Sequence, residues 1–370
     1  MIERTSSLFW KEANGILDKG EVKRILVFEG GGIGDLLRVF PAISVLHDEF
    51  PQAAISVLAS PSAQGVLELF PDKTIISEIF DYDIYGSHKS LLGKLFLILL
   101  LRFKRFDLIY APTRGEGMRE IILMAYLTKI PHRIGFRKGR IGYLNTVSIE
   151  FVEDLPIHQQ NLLLLQACNI NIKNGDLRIE VPEKDMAFAK DLIGESDPPK
   201  IVSLHPNASW VASYRTWPLK NYIQLIGHIV SDLKVKVIIV GSKNEVKIGD
   251  EIQKVIKNPS LINIVGKTTT SQMAAIIKSS HLFIGNDSGP LHIALTVGTP
   301  AIGIFGSTAP RQVLSRIDRC FVVKKELPCS PCYLHQPIFE RHCNRPTCME
   351  AISWEMVMKP VKKMLFNENI

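Results

Sequence analysis

Seven short apolar runs recur along the chain, and each stops at a glycine, a proline or a polar residue. They are RILVFEG (Arg24 to Gly30), AAISVLA (Ala53 to Ala59), FDLIYAP (Phe106 to Pro112), KIVSLHP (Lys200 to Pro206), KVKVIIVG (Lys234 to Gly241), HLFIGND (His281 to Asp287) and PAIGIFG (Pro300 to Gly306). Helical patterns lie between them. Nearly continuous apolar strands alternating with helices describe parallel sheets covered on both faces, because a sheet with one wet face would alternate polar and apolar residues. The rhythm restarts after Asn171. The expectation is an α/β chain of two doubly wound domains, residues 1–172 and 173–350. A closing amphipathic helix over 351–370 is expected to return to the first domain, kinked or interrupted at Pro360.

A chain of 370 residues is long enough for two domains that each bury their own core. Its net charge of +7 is a modest excess that points to anionic partners without choosing among nucleic acid, acidic phospholipid and nucleotide phosphates. Met1 to Trp10 lacks the apolar core of a secretory signal. The greasiest run, LLGKLFLILLL from Leu91 to Leu101, is far short of the roughly 20 residues that span a bilayer. A soluble, cytoplasmic protein is expected. Four of the six cysteines, Cys329, Cys332, Cys343 and Cys348, cluster as C-x2-C-x10-C-x4-C, with His335 and His342 nearby. The first pair suits zinc and the remainder is looser than a regular zinc site, so reduced thiols and no metal are expected.

In open α/β sheets ligands bind beyond the carboxyl ends of the strands, and three segments put chemistry there. GGGIGDLLR (Gly30 to Arg38) joins the first strand to a helix through glycines that let a ligand approach the backbone. The dinucleotide fingerprint fails in it, because its sixth position is Asp35, a carboxylate that would repel a pyrophosphate. Asp35 then either stabilises the start of its helix or acts as a general base facing a cleft, with Gly32, Gly34 and Arg38 in the same glycine loop. HPNASWVASYRTWP (His205 to Pro218) offers Ser209, Ser213 and Thr216 as hydroxyls and Arg215 as a fork of donors suited to a diphosphate. NDSGPLH places Asn286, Asp287 and Ser288 at the start of a helix near Gly289, with His292 one turn in. Capping explains Asp287 or Ser288, and the amides of that helix start form an anion site. It does not explain both together with a histidine. GKT at Gly266 lacks the earlier glycine of a phosphate loop, and DYD at Asp81 is too short to specify a metal.

These residues resemble glycosyltransferase family 9, the ADP-heptose:lipopolysaccharide heptosyltransferases. Three blocks carry the likeness: GDLLRVFPAISVLHDEFPQAAISVLA, HPNASWVASYRTWP and NDSGPLHIALTVGTPAIGIFG. They run in the family's order over nearly the whole chain. The resemblance implies a B-type fold of two facing Rossmann-like domains, the first for the acceptor and the second for the nucleotide sugar. It implies Asp35 as the base, Arg215 near the donor phosphates, and Asp287, Ser288, Gly289 and His292 as the donor-binding block. It also implies Glu245, after the VIIVGS strand, as an acidic residue near the nucleoside.

The expected reaction is an inverting transfer of a heptose or related sugar from an ADP-sugar to a lipopolysaccharide-core or similar glycan acceptor. It needs no cofactor, no metal and no nucleic acid. The rivals are a protein that binds a nucleotide sugar without turnover and a nucleotide-sugar epimerase. HKSLLGKLFLILLLRFKRF (His88 to Phe106) is apolar nearly all round and flanked by Lys89, Arg102, Lys104 and Arg105. A core helix needs only an apolar stripe. This one is expected to dock the protein peripherally on the anionic inner face of the cytoplasmic membrane, where the lipid-linked acceptor lies.

Overall fold

The computed structural model describes residues 22–114, 117–137, 139–152, 155–194, 200–208, 214–332 and 345–367. The chain divides into two compact units between Leu177 and Arg178, a little beyond the boundary placed at 172.

The first unit is built on strands β1 (Arg24–Glu29), β2 (Ala54–Ala59), β3 (Ile76–Asp81), β4 (Leu108–Ala111), β5 (His132–Phe136) and β6 (Val147–Ile149). They form one sheet in the order β3-β2-β1-β4-β5-β6, parallel throughout. The second unit repeats the plan with β7 (Ile201–His205), β8 (Lys236–Ile239), β9 (Leu261–Asn263), β10 (Leu282–Asn286), β11 (Ala301–Phe305) and β12 (Cys320–Lys324). Their order is β12-β11-β10-β7-β8-β9, again all parallel. Each sheet has the doubly wound arrangement of a Rossmann-like domain, in which successive crossovers leave in opposite directions at the centre. That switch point lies between β1 and β4 in the first unit and between β7 and β10 in the second.

All seven expected strands form. Five more form, β3, β5, β6, β9 and β12. The edge strands β3 and β12 are only partly buried; β3, ISEIFD, mixes polar residues among the apolar ones, whereas sequence reasoning missed β12, CFVVK, although it opens on four apolar residues. The inner strands are buried on both faces, which is why they read as continuous apolar runs. Each fully buried aliphatic side chain there contributes roughly 1.5–3 kcal/mol.

The segment expected as one helix after β1 is two, Ile33–Leu37 and Phe40–Glu49, broken at Arg38 and Val39. Pro41 sits in the first turn of the second helix, where its missing N–H costs nothing. In the second unit, helix Leu219–Ser231 buries Tyr222, Leu225, Ile226, Ile229 and Val230, the three-and-four spacing of a single stripe. The closing helix, Trp354–Phe366, belongs to the second unit. It buries Val357, Met358, Val361 and Leu365 in that unit's core. It also runs unbroken through Pro360, which is itself buried. Packing on both sides of the proline offsets the lost hydrogen bond.

Candidate functional site

Both switch points carry clusters of polar side chains. In the second unit, β10 ends in Asn286 and delivers Asp287 and Ser288 to the start of helix Gly289–Val297. Asp287, Ser288 and His292 are all buried. Arg215 Nη1 stands 3.4 Å from Asp287 Oδ2, and His292 Nε2 stands 3.4 Å from Asp287 Oδ1. Burial alone would raise the pKa of Asp287. The His292 hydrogen bond, the Arg215 charge and the Thr308 hydroxyl outweigh it and hold the carboxyl far below the usual range. Asp287 is therefore a fixed anion that orients two donors.

Ser288 occupies the N-cap position, but its side chain makes no capping bond, contrary to the capping expected of Asp287 or Ser288. Its hydroxyl is held by His205 instead, Oγ to Nδ1 at 3.1 Å. The other ring nitrogen of His205 meets Glu245 Oε1 at 3.0 Å. Nε2 facing a carboxylate carries the proton, so in the neutral ring Nδ1 accepts from Ser288. Glu245 also accepts from Asn207 Nδ2 at 2.8 Å and from the Ser242 amide at 2.6 Å. Burial would raise its pKa, yet His205 and the Ser242 donors lower it to about 2. Sequence reasoning missed His205, although it is the last residue of β7 and hence at the strand end where ligands bind. It also missed Asn286 as a brace. Asn286 Nδ2 donates to the Arg215 carbonyl at 2.6 Å, and the Tyr222 hydroxyl donates to Asn286 Oδ1. Trp217, two residues on, is fully buried and donates to the Ile352 carbonyl at 2.8 Å. These bonds fix the backbone that carries Arg215.

The anion site expected from the helix start is narrower than a full set of amides. Pro290 has no N–H, and the Leu291 and His292 amides bond back to the Ser288 carbonyl. The Gly289 amide and the Arg215 fork are what this end presents. Ser209 and Ser213 lie outside the described residues.

In the first unit, Asp35 accepts from the Gly32 amide at 3.0 Å and pairs with Arg38 Nη2. The carboxylate thus does stabilise its helix start, while its side chain stays 40% exposed. Arg38 is buried, as is Gly34. Asn161 ties the neighbourhood together. Its Nδ2 donates to the Arg38 carbonyl at 2.9 Å, its own carbonyl accepts from the Tyr110 hydroxyl at 2.7 Å, and its Oδ1 accepts from Arg114. Arg114, just beyond β4, lies over the ring of Phe136 at 4.6 Å. Burial and the nearby Arg38 charge lower its pKa to about 9. Burial and the same two guanidinium groups lower His158 to about 4. Glu29, the last residue of β1, is buried, and burial with the Asp35 charge raises it to about 7. Glu29, Arg114 and His158 carry no motif and were invisible in the sequence.

The two remaining metal candidates differ. Asp81 accepts from Gln64, and Asp83 accepts from the amides of Tyr85 and Gly86, so DYD holds a turn. Among the described residues no group of three or more His, Cys, Asp or Glu side chains could hold a metal ion. Cys343, His335 and His342 lie outside them. Cys329 is exposed, Cys332 partly buried and Cys348 buried.

The family description that matches the chain is glycosyltransferase family 9 (heptosyltransferase), over residues 117–342. The chain is 24% identical over 300 residues to lipopolysaccharide heptosyltransferase 2 of Escherichia coli K12, covering 78% of this chain and 84% of that one. To lipooligosaccharide heptosyltransferase 2 of Campylobacter jejuni it is 24% identical over 341 residues, covering 91% and 97%. Among solved structures, the glycosyl transferase family 9 protein of Veillonella parvula superposes with a TM-score of 0.72 at 20% identity, over 96% of this chain and all of that one. The E. coli heptosyltransferase WaaC with ADP-2-deoxy-2-fluoro heptose superposes with a TM-score of 0.65 at 12% identity, over 92% and 99%. These likenesses place the two sheets as the two halves of a B-type glycosyltransferase fold.

Proposed function

The chain belongs to glycosyltransferase family 9, the heptosyltransferases, and from that premise we propose that it moves a heptose or related sugar from an ADP-sugar to a lipopolysaccharide-core or similar glycan acceptor. The second domain takes the donor and the first takes the acceptor. The observation that carries this reading is the buried Asp287 holding Arg215 and His292 at the β7/β10 switch point, where a nucleotide diphosphate binds in a sheet of this topology. Relatives support the ligand classes: one was solved with ADP-2-deoxy-2-fluoro heptose, and the curated relatives are lipopolysaccharide heptosyltransferases.

The transfer is a single displacement. Asp35 takes the proton from an acceptor hydroxyl as its oxygen bonds the anomeric carbon. The bond from that carbon to the diphosphate breaks on the opposite face, so configuration inverts. Arg215 and the Gly289 amide receive the charge that builds on the departing phosphate. Asp287 keeps Arg215 aimed through the 3.4 Å contact between them, and a guanidinium fork is the donor geometry that suits phosphate oxygens. Glu245, held by His205 and Asn207, offers a fixed carboxylate to the nucleoside.

The acceptor is lipid-linked, and helix Leu91–Phe103 supports docking on an anionic membrane surface. It buries only Leu97, Ile98 and Leu101. Leu91, Leu92, Phe96 and Phe103 are exposed at 83, 68, 71 and 83%. Lys94 and Lys104 already pair with Glu120 and Glu78, which leaves exposed Lys89, Arg102 and Arg105 to face lipid. Among the described residues no helix is long and apolar enough to cross a membrane, so the reading is one of lying on the surface.

Transfer of label from ADP-heptose to a lipid-linked core saccharide tests the reading against both rivals. A transferase moves the label into the lipid fraction. Binding without turnover, or epimerised sugar still on the nucleotide, would overturn it.

A further inference from the structure

β1 ends in a buried carboxylate that the transfer chemistry does not use. Glu29 is 6% exposed, and its Oε1 accepts the Gly31 amide at 3.0 Å. Asp35 Oδ2 accepts the next amide, that of Gly32, at 3.0 Å. A Cβ built on Gly31 would lie 2.6 Å from that same Asp35 oxygen. One glycine is thus clasped by two carboxylates: Glu29 on its N–H and Asp35 against its Cα. A serine or asparagine would grip the amide without burying a charge. An acid at this place brings something a mere clamp does not need.

We propose that Glu29 is a positioning residue for Asp35: its carboxyl fixes the loop that Asp35 rests on, and its ionisation sets how strongly Asp35 binds the acceptor's proton. This rests on Asp35 being the base. The groups that act on Glu29 are Asp35 from helix Ile33–Leu37, Arg38 just after that helix, and Arg114 from beyond β4. Tyr110 on β4 adjoins it and stays protonated, its pKa raised by burial. His158, on helix Ile157–Gln166, meets the same two arginines and is neutral above pH 4 or so. Burial and the Asp35 charge keep the Glu29 proton on up to a pH of about 7, against the pull of the Gly31 amide and the arginines. Above that pH a second negative charge stands beside Asp35 and makes it a stronger proton acceptor.

The experiment is the pH profile of kcat/KM for transfer from ADP-heptose, in wild type, Glu29→Gln and Asp35→Asn. Glutamine keeps a carbonyl for the Gly31 amide and cannot ionise. Wild type should gain activity in a step centred near pH 7, and Glu29→Gln should lack that step while its KM for the donor stays unchanged. A second readout needs no turnover. Carbon-13 NMR of labelled glutamate carboxyls should show Glu29 titrating near 7 in wild type and lower in Asp35→Asn, where the neighbouring charge is gone. A step that persists in Glu29→Gln, or a Glu29 midpoint unmoved in Asp35→Asn, overturns the proposal. An active Asp35→Asn would overturn the base assignment instead, so the two failures separate.

Discussion

Replacing Glu245 with glutamine removes one buried charge and changes little else in size. The carboxylate is held by His205 Nε2 at 3.0 Å, Asn207 Nδ2 at 2.8 Å and the Ser242 amide and hydroxyl at 2.6 and 2.7 Å. All four are donors. A glutamine supplies one acceptor oxygen and turns its NH2 toward donors on the other side. The pKa falls from 4.5 to about 2, and at about 1.4 kcal/mol per unit that corresponds to about 3 kcal/mol of stability at pH 7. The sign follows from the depressed value: the folded state binds the proton less tightly than the unfolded chain. The contribution is complete above pH 4.5 and is lost as pH falls from there toward 2. Denaturant unfolding of the second domain, followed by Trp217 fluorescence, should show Glu245→Gln less stable by about 3 kcal/mol at pH 7 and by roughly half that at pH 3. A gap under about 1 kcal/mol at pH 7, or one that does not narrow on acidification, would mean the ionised Glu245 network does not hold the domain.

Arg215→Ala should weaken ADP binding by tenfold or more in calorimetry, since a charge-assisted hydrogen bond contributes roughly 1.5–3 kcal/mol; unchanged affinity would move the donor phosphates elsewhere. Gly31→Ala should disable transfer without unfolding the first domain, because its Cβ would come within 2.6 Å of the Asp35 carboxylate and displace it; near-normal turnover would show that Asp35 tolerates another position. Leu92, Phe96 and Leu99 changed together to Ser should reduce pelleting with anionic vesicles at low salt while leaving the fold intact, since all three are exposed. Leu97 and Leu101 are unsuitable for that test because both are buried in the core, and wild type that never pellets would refute the docking.

Every inner strand but β5 was legible because burial on both faces writes an unbroken apolar run, as in RILVFEG and PAIGIFG; β5, HRIGF, opens on two polar, only partly buried residues. The edge strands were not, because a strand with one open side obeys no such rule, and ISEIFD shows it. Asp35, Arg215, Asp287, Ser288 and His292 could be read because strand-end position and residue type coincided in short segments. Their partners could not. His205 meets Glu245 across 40 residues, and Asn161 meets Arg38 across 123. Such pairs come together only once the sheet order is fixed. The capping expectation at Ser288 failed for the same reason: its side chain turns to a histidine 83 residues away rather than to the local amides. Helix Leu91–Phe103 was legible in composition but not in orientation, since a run apolar nearly all round does not say which residues form its narrow buried stripe.

The assignment of Asp35 as the base that makes the acceptor nucleophilic is tested most directly by Asp35→Ala, assayed for both sugar transfer and ADP affinity. Loss of a general base costs on the order of 10²–10⁴-fold in rate, and Asp35 lies in the first domain whereas the donor-binding residues lie in the second. The transfer rate should fall by that factor with the ADP dissociation constant unchanged. A variant that keeps more than about half the wild-type rate would contradict it, and would leave Asp35 as no more than the residue that starts its helix.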